Sequence, residues 1–193
     1  PMSALRLMVG LGNPGPEYEQ TRHNAGFWLV ERLARAHGGS WRREARFHGD
    51  VARISLPSGD IWLLKPSTFM NESGRAVAAM ARFYQILPTE ILVAHDELDL
   101  QPGVVKLKKS GGSAGHNGLK DTTAALGSPD YWRLRVGIGH PGERPPVADY
   151  VLRRATRDEQ ESIDTALDRA EEVFPLMGAG EMDAALLKLH TAN

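Results

Sequence analysis

A histidine, an aspartate and three asparagines stand just beyond hydrophobic runs in this 193-residue chain. The first run, Leu5 to Val9, leads into Gly10-Leu11-Gly12-Asn13-Pro14-Gly15, then Glu17-Tyr18 and Thr21-Arg22-His23-Asn24-Ala25-Gly26. In an open α/β sheet, ligands bind in the crevice outside the carboxyl ends of the strands, so this loop is where reactive groups are expected. An imidazole titrates near neutrality, which makes His23 a candidate for proton transfer. Lys65-Pro66-Ser67-Thr68-Phe69-Met70-Asn71 follows another apolar run, Asp96 ends Ile91-Leu92-Val93-Ala94-His95, and Asn117 follows Ser110-Gly111-Gly112-Ser113-Ala114-Gly115-His116. Wherever these strands run parallel, their carboxyl ends share one rim, and Asp96, Asn13, Asn71 and Asn117 are expected to converge on His23. Each asparagine taken singly also fits a turn or a helix cap.

The elements that must position these groups alternate along the chain. Strands are expected at Leu5 to Leu11, Asp50 to Leu56, Ile61 to Lys65, Ile91 to His95, Val104 to Lys108 and Leu134 to Ile138. Helices are expected at Asn24 to His37, Glu72 to Tyr84, His116 to Leu126, Asp158 to Met177 and Glu181 to Leu189. Leu56-Pro57-Ser58-Gly59-Asp60 joins two strands as a hairpin turn, which makes the sheet mixed. The expected fold is a single α/β domain over 1–193, a twisted mixed β-sheet flanked by α-helices. Pro1 ahead of Met2 contributes nothing to this fold expectation. Gly10, Gly12 and Gly15 also fit the dinucleotide fingerprint G-x-G-x-x-G. That reading fares poorly, because Pro14 and Pro16 delay any helix and the following segment, Phe27 to His37, keeps helical spacing where a second strand is needed.

With 41% hydrophobic residues the chain can bury a sizeable core, and no apolar run approaches the roughly 20 residues of a membrane span. No signal-peptide pattern precedes the first strand, so a soluble, cytoplasmic protein without membrane association is expected. The absence of cysteine excludes disulfides and thiolate metal sites. A net charge of −1 conceals a separation. Between Gly103 and Arg135, Lys106, Lys108, Lys109, Lys120, Arg133 and Arg135 face only Asp121 and Asp130. Asp158 to Asp183 carries nine carboxylates and one cation, Arg169, on what its apolar spacing marks as a surface helix. The middle of the chain is therefore the candidate polyanion surface, although solvated lysines would give the same count. Alternation in Val104-Val105-Lys106-Leu107-Lys108 puts Lys106 and Lys108 on one strand face.

Six blocks of this sequence resemble the bacterial-type peptidyl-tRNA hydrolases, in that family's order: Val9 to Gly15, Thr21 to Gly26, Thr68 to Asn71, His95 to Asp99, Gly115 to Gly118 and Arg133 to Gly139. The resemblance implies hydrolysis of the ester joining a peptide, or another N-blocked aminoacyl group, to the terminal ribose of tRNA, by a monomer that needs no metal or other cofactor. By match to the family's motifs, His23 looks like the catalytic base and Asp96 its partner. Asn13, Asn71 and Asn117 look like substrate-positioning amides, with Tyr18, Phe69, Met70 and His116 beside the substrate. Lys106, Lys108 and Arg135 look like contacts to tRNA phosphates. The sequence departs from the pattern at Lys109-Ser110-Gly111-Gly112-Ser113-Ala114, where many relatives are richer in glycine.

The chemistry is consistent with the residues themselves. A neutral imidazole can take a proton from attacking water, and a carboxylate on its other nitrogen would fix the tautomer and steady the imidazolium. The start of the following helix is expected to keep His23 neutral at rest. Ser67 and Thr68 lie in no Gly-x-Ser-x-Gly elbow, which disfavours a serine nucleophile. His95 is expected to be a packed core residue, and His116 either to line the cleft or to open its helix. His37, His48, His140 and His190 lack partners at metal-ligand spacing, so no metal is assigned.

Overall fold

The structure is a computed structural model that describes residues 4–191, so Pro1 and Met2 lie outside the described residues. Seven strands form one sheet: β1 (Leu7–Gly10), β2 (Arg42–Glu44), β3 (Gly49–Leu56), β4 (Gly59–Pro66), β5 (Ile91–Glu97), β6 (Val105–Lys109) and β7 (Trp132–Gly137). Their order is β2-β3-β4-β1-β5-β7-β6. The central four, β4, β1, β5 and β7, run parallel. The outer strands β2, β3 and β6 pair antiparallel with their neighbours.

Among the described residues, six α-helices cover the sheet: α1 (Ala25–Ala36), α2 (Ser73–Tyr84), α3 (Asn117–Leu126), α4 (Val147–Val151), α5 (Arg157–Gly178) and α6 (Met182–Thr191). Strand side chains alternate between faces, so Met8, Leu92 and Ala94 enter one core while Leu7, Val9, Ile91 and Val93 enter the other. The first core is closed by α1, α5 and α6, the second by α2 and α3. Ile163, Ala166, Leu167, Ala170, Val173, Phe174 and Met177 of α5 are all buried, as the helical spacing required. Part of its acidic face engages Arg32 of α1 through Asp164, Asp168 and Glu171.

The glycines after β1 are explained by packing. A Cβ on Gly10 would stand 2.3 Å from the carbonyl oxygen of Gly26, and one on Gly26 would stand 2.4 Å from that of Ala94. Only two facing glycines let α1 approach β1 and β5 this closely, and that approach places the residues just ahead of α1 over the end of β5.

Two elements escape the sequence pattern. Strand β2 consists of Arg42, Arg43 and Glu44, with no apolar alternation to mark it. Helix α4 is five residues long, too short to express a helical period. The expected shared rim also needs one correction. Because β6 is antiparallel to β7, its exit lies at the opposite end of the sheet, and Asn117 reaches the rim only through the returning segment 110–116.

Gly26→Ala is expected to lower stability by about 1–3 kcal/mol through overpacking. Urea unfolding should show a lower midpoint, whereas Gly112→Ala, where a Cβ meets nothing within 4 Å, should leave the midpoint unchanged.

Candidate active site

Asp96 lies near the end of β5 and is 3% exposed. Its Oδ2 accepts from His23 Nδ1 at 2.7 Å and its Oδ1 accepts from His116 Nε2 at 2.7 Å. The state of His116 follows from its other nitrogen. Nδ1 accepts the backbone N–H groups of Gly118 and Leu119 at 3.1 and 3.3 Å, so the ring proton is on Nε2. His116 is thus both the N-cap of α3 and a cleft residue, combining the two roles that its sequence position allowed. His23 occupies a single turn of 3-10 helix, Arg22–Asn24, immediately ahead of α1. Donating Nδ1–H to Asp96 leaves its Nε2 as a free acceptor.

Burial opposes ionisation of Asp96, but the charges and hydrogen bonds of His23 and His116 hold its carboxyl well below the usual carboxylate range. Burial also opposes protonation of His23, yet the charge and hydrogen bond of Asp96 outweigh it and raise the imidazole above its ordinary value. Against the expectation that the start of α1 helps keep His23 neutral at rest, the net direction is upward, because a carboxylate in direct hydrogen-bond contact exceeds the partial charge of a helix end. His95, 2% exposed, donates Nδ1–H to the carbonyl of Asp96 at 2.9 Å. Burial and the neighbouring His116 push it down to about 3, so it stays neutral and packed, as expected.

His23, Asp96 and His116 sit in a cleft of about 630 Å³, together with Asn13, Asn71 and Asn117. Asn13 is the most tightly held of the amides. Its Oδ1 accepts from Met70 N–H at 2.7 Å, and its backbone N–H and C=O pair with the side chain of Asn24 at 2.8 and 3.0 Å. This leaves Asn13 Nδ2 as a donor. Asn71, in the 3-10 turn ahead of α2, and Asn117, the first residue of α3, are exposed. Met70 is buried beside Gly118, whose missing Cβ would stand 2.6 Å from its sulfur. Phe69 is 55% exposed on one side of the cleft, and Tyr18 meets its ring edge-on at 6.2 Å without lining the cleft.

The cations gather on the two strands next to the cleft. Lys106 is paired across from Arg135, and Lys108 from Arg133, which puts all four on one face. Arg133, buried, donates to the carbonyls of Gly112 at 2.6 Å and Pro129 at 3.3 Å and so anchors the 110–116 segment. Arg135 donates Nε–H to Glu97 at 2.9 Å, and Glu97 lines the cleft. Lys106 and Lys108 form no ion pair among the described residues.

Sequence reasoning missed several contributors. Asn24 lies inside a motif singled out for its histidine, yet it is the residue that locks Asn13. Val147, Ala148, Val151 and Leu152, on or beside α4, build an apolar wall that no periodicity announced. His23, Asp96 and His116 also bring one potential metal-ligand atom each within 4.8 Å of one another. Both imidazoles already hydrogen-bond Asp96, and the two N–H groups aimed at His116 Nδ1 oppose the tautomer that would free Nε2 for a metal.

Among the described residues, no helix is long and apolar enough to cross a membrane. The chain is 56% identical to the peptidyl-tRNA hydrolase of Cupriavidus necator, an alignment covering 98% of this chain and 100% of that protein. The corresponding protein of Cupriavidus metallidurans is 55% identical over the same shares. The crystal structure of peptidyl-tRNA hydrolase from Acinetobacter baumannii superposes with a TM-score of 0.94 at 47% identity, covering 98% of this chain and 96% of that one. The family model for peptidyl-tRNA hydrolase matches residues 7–193, which agrees with the resemblance carried by the six sequence blocks, and the chain belongs to the peptidyl-tRNA hydrolase family.

Proposed function

We propose that this enzyme hydrolyses the ester between a peptide, or another N-blocked aminoacyl group, and the terminal ribose of tRNA, with water activated by His23 and no covalent intermediate. The observation that carries the reading is the hydrogen bond from His23 Nδ1 to buried Asp96, which leaves Nε2 free in a cleft rich in amides. In this mechanism Nε2 takes a proton as water attacks the ester carbonyl, and the imidazolium returns it to the departing ribose oxygen. Asp96 stabilises the imidazolium, as the aspartate does in a serine-protease triad, and His116 holds the carboxylate from its other side. Asn13 Nδ2, Asn71 and Asn117 suit the alternating donors and acceptors of a peptide and the polarisation of the scissile carbonyl. Phe69, Met70 and the apolar wall lie on the acyl side, with Tyr18 supporting Phe69 from behind the cleft. Lys106, Lys108 and Arg135 meet tRNA phosphates, a recognition by backbone that tolerates sequence variation.

His23→Ala should lower hydrolysis of N-acetyl-aminoacyl-tRNA by roughly 10² to 10⁴-fold while retaining tRNA affinity. Wild-type turnover by a folded His23→Ala enzyme would refute the role of His23.

The acidic limb of kcat/KM should lie above the ordinary histidine value of 6.5, because Asp96 raises His23 and only the neutral ring accepts a proton. Asp96→Asn removes the raising charge, so that limb should move to lower pH while kcat falls roughly 10 to 10⁴-fold. An unmoved limb would assign Asp96 to the fold or the substrate instead.

Replacing Lys106, Lys108 and Arg135 together by alanine should mainly raise KM and flatten its dependence on salt, since each lost phosphate contact removes the release of roughly 0.7 to 0.9 counterion. A loss confined to kcat would contradict the phosphate role.

A further inference from the structure

Arg22, the residue before His23, is a buried cation whose connections the catalytic reading does not use. Its Cζ stands over the ring of Tyr150, 3.8 Å from the ring centroid. One terminal nitrogen donates to the Tyr150 carbonyl at 3.0 Å and the other to Glu159 Oε1 at 3.1 Å. Both partners are themselves fixed. The Tyr150 hydroxyl donates to the carbonyl of Ile138, just past β7, at 2.7 Å. Glu159 closes the capping box of α5, accepting the Thr156 N–H at 2.9 Å. The backbone joins in, with Arg22 N–H donating to Arg153 C=O at 3.0 Å and Thr21 bridging Arg154.

These contacts matter because of what α4 carries. A five-residue helix has no stability of its own, so its place is set by whatever holds it. Around α4 lie Val147, Ala148, Val151 and Leu152, the apolar wall of the cleft, with Val147 and Leu152 still 38% and 44% exposed. The group that fixes this wall is attached one residue from the proposed base.

We propose that Arg22 is a positioning residue that sets the distance between His23 and the α4 wall, and thereby the enzyme's preference for a large apolar side chain next to the scissile ester. This rests on the ester-hydrolase reading above. With the guanidinium in place, such a side chain lies against the wall while the ester meets His23. Without it, the wall is free to shift, and the advantage of an apolar side chain over a hydrogen atom is lost.

The test compares N-acetyl-phenylalanyl-tRNA with N-acetyl-glycyl-tRNA in wild type, Arg22→Gln and Arg22→Lys. Both variants should lower kcat/KM for the phenylalanyl substrate about tenfold more than for the glycyl one, the scale of a lost apolar contact in a pocket. Lysine should not rescue, because it keeps the charge but lacks the fork that reaches two partners. In parallel, ¹³C-methyl NMR should show the Val147 and Val151 resonances shifted or broadened, with those of Val9 and Val93 unchanged. Equal losses on both substrates, or an unchanged ratio with unmoved Val147 and Val151 methyls, would overturn the proposal. Should the Arg22 variants fail to fold, Tyr150→Phe, which loses only the bond to Ile138, should change the ratio in the same direction; an unmoved ratio there would overturn it. A wild-type enzyme that cleaves neither ester would overturn the ester-hydrolase reading, while the methyl spectra would still decide the role of Arg22.

Discussion

A carboxylate buried at the end of a parallel strand is costly unless every lone pair finds a partner, and the surroundings of Asp96 are organised around that requirement. His23 and His116 each hydrogen-bond one carboxylate oxygen, and His95 donates to the backbone carbonyl of the same residue. The two histidines come from opposite directions, one from the turn ahead of α1 and the other from the N-terminus of α3. Their approach depends on glycines at Gly10, Gly26 and Gly118, where a side chain would push a helix away from the sheet or from Met70. The glycines set the distance between layers, and Asp96 sets the state of His23.

The same arrangement separates tasks among similar residues. Four cations share one face of β6 and β7, yet Arg133 is consumed in holding Gly112 and Pro129, and Arg135 is tied to Glu97. Among the described residues, Lys106 and Lys108 alone of these four have neither an ion pair nor a carbonyl partner. Three histidines cluster within ring contact, with centroids 5.2 Å apart for His23 and His116 and again for His95 and His116. His23 bonds Asp96 through Nδ1 and so keeps Nε2 open to the cleft, whereas His116 uses both ring nitrogens. Tautomer and burial distinguish these side chains where residue type does not.

Much of this was legible in the sequence because it is periodic or local. The buried faces of α1, α2 and α5 repeat at helical spacing, and the loop after β1 announces itself through glycine and amide. The pairing of His23 with Asp96 was legible only through topology, since both lie where parallel strands end. What stayed hidden depends on three-dimensional partners. Helix α4 is too short to show a period, β2 contains only charged residues, and the roles of Asn24 and Arg22 arise from segments as distant as Tyr150 and Glu159. The antiparallel course of β6 was equally unreadable, because lysine alternation is the same in either direction.

The last helix bears on that strand in another way. β6 ends the sheet, and an unpaired outer strand offers its main-chain groups to any other extended segment, the usual route to unwanted association. Here the Leu107 N–H is already given to His190 of α6 at 3.0 Å, and the paired lysines project from the face instead of the rim. The edge at Leu107 is thereby withheld from β-augmentation, while Lys106 and Lys108 stand on the adjoining face, so the strand can carry its lysines without offering this stretch of backbone.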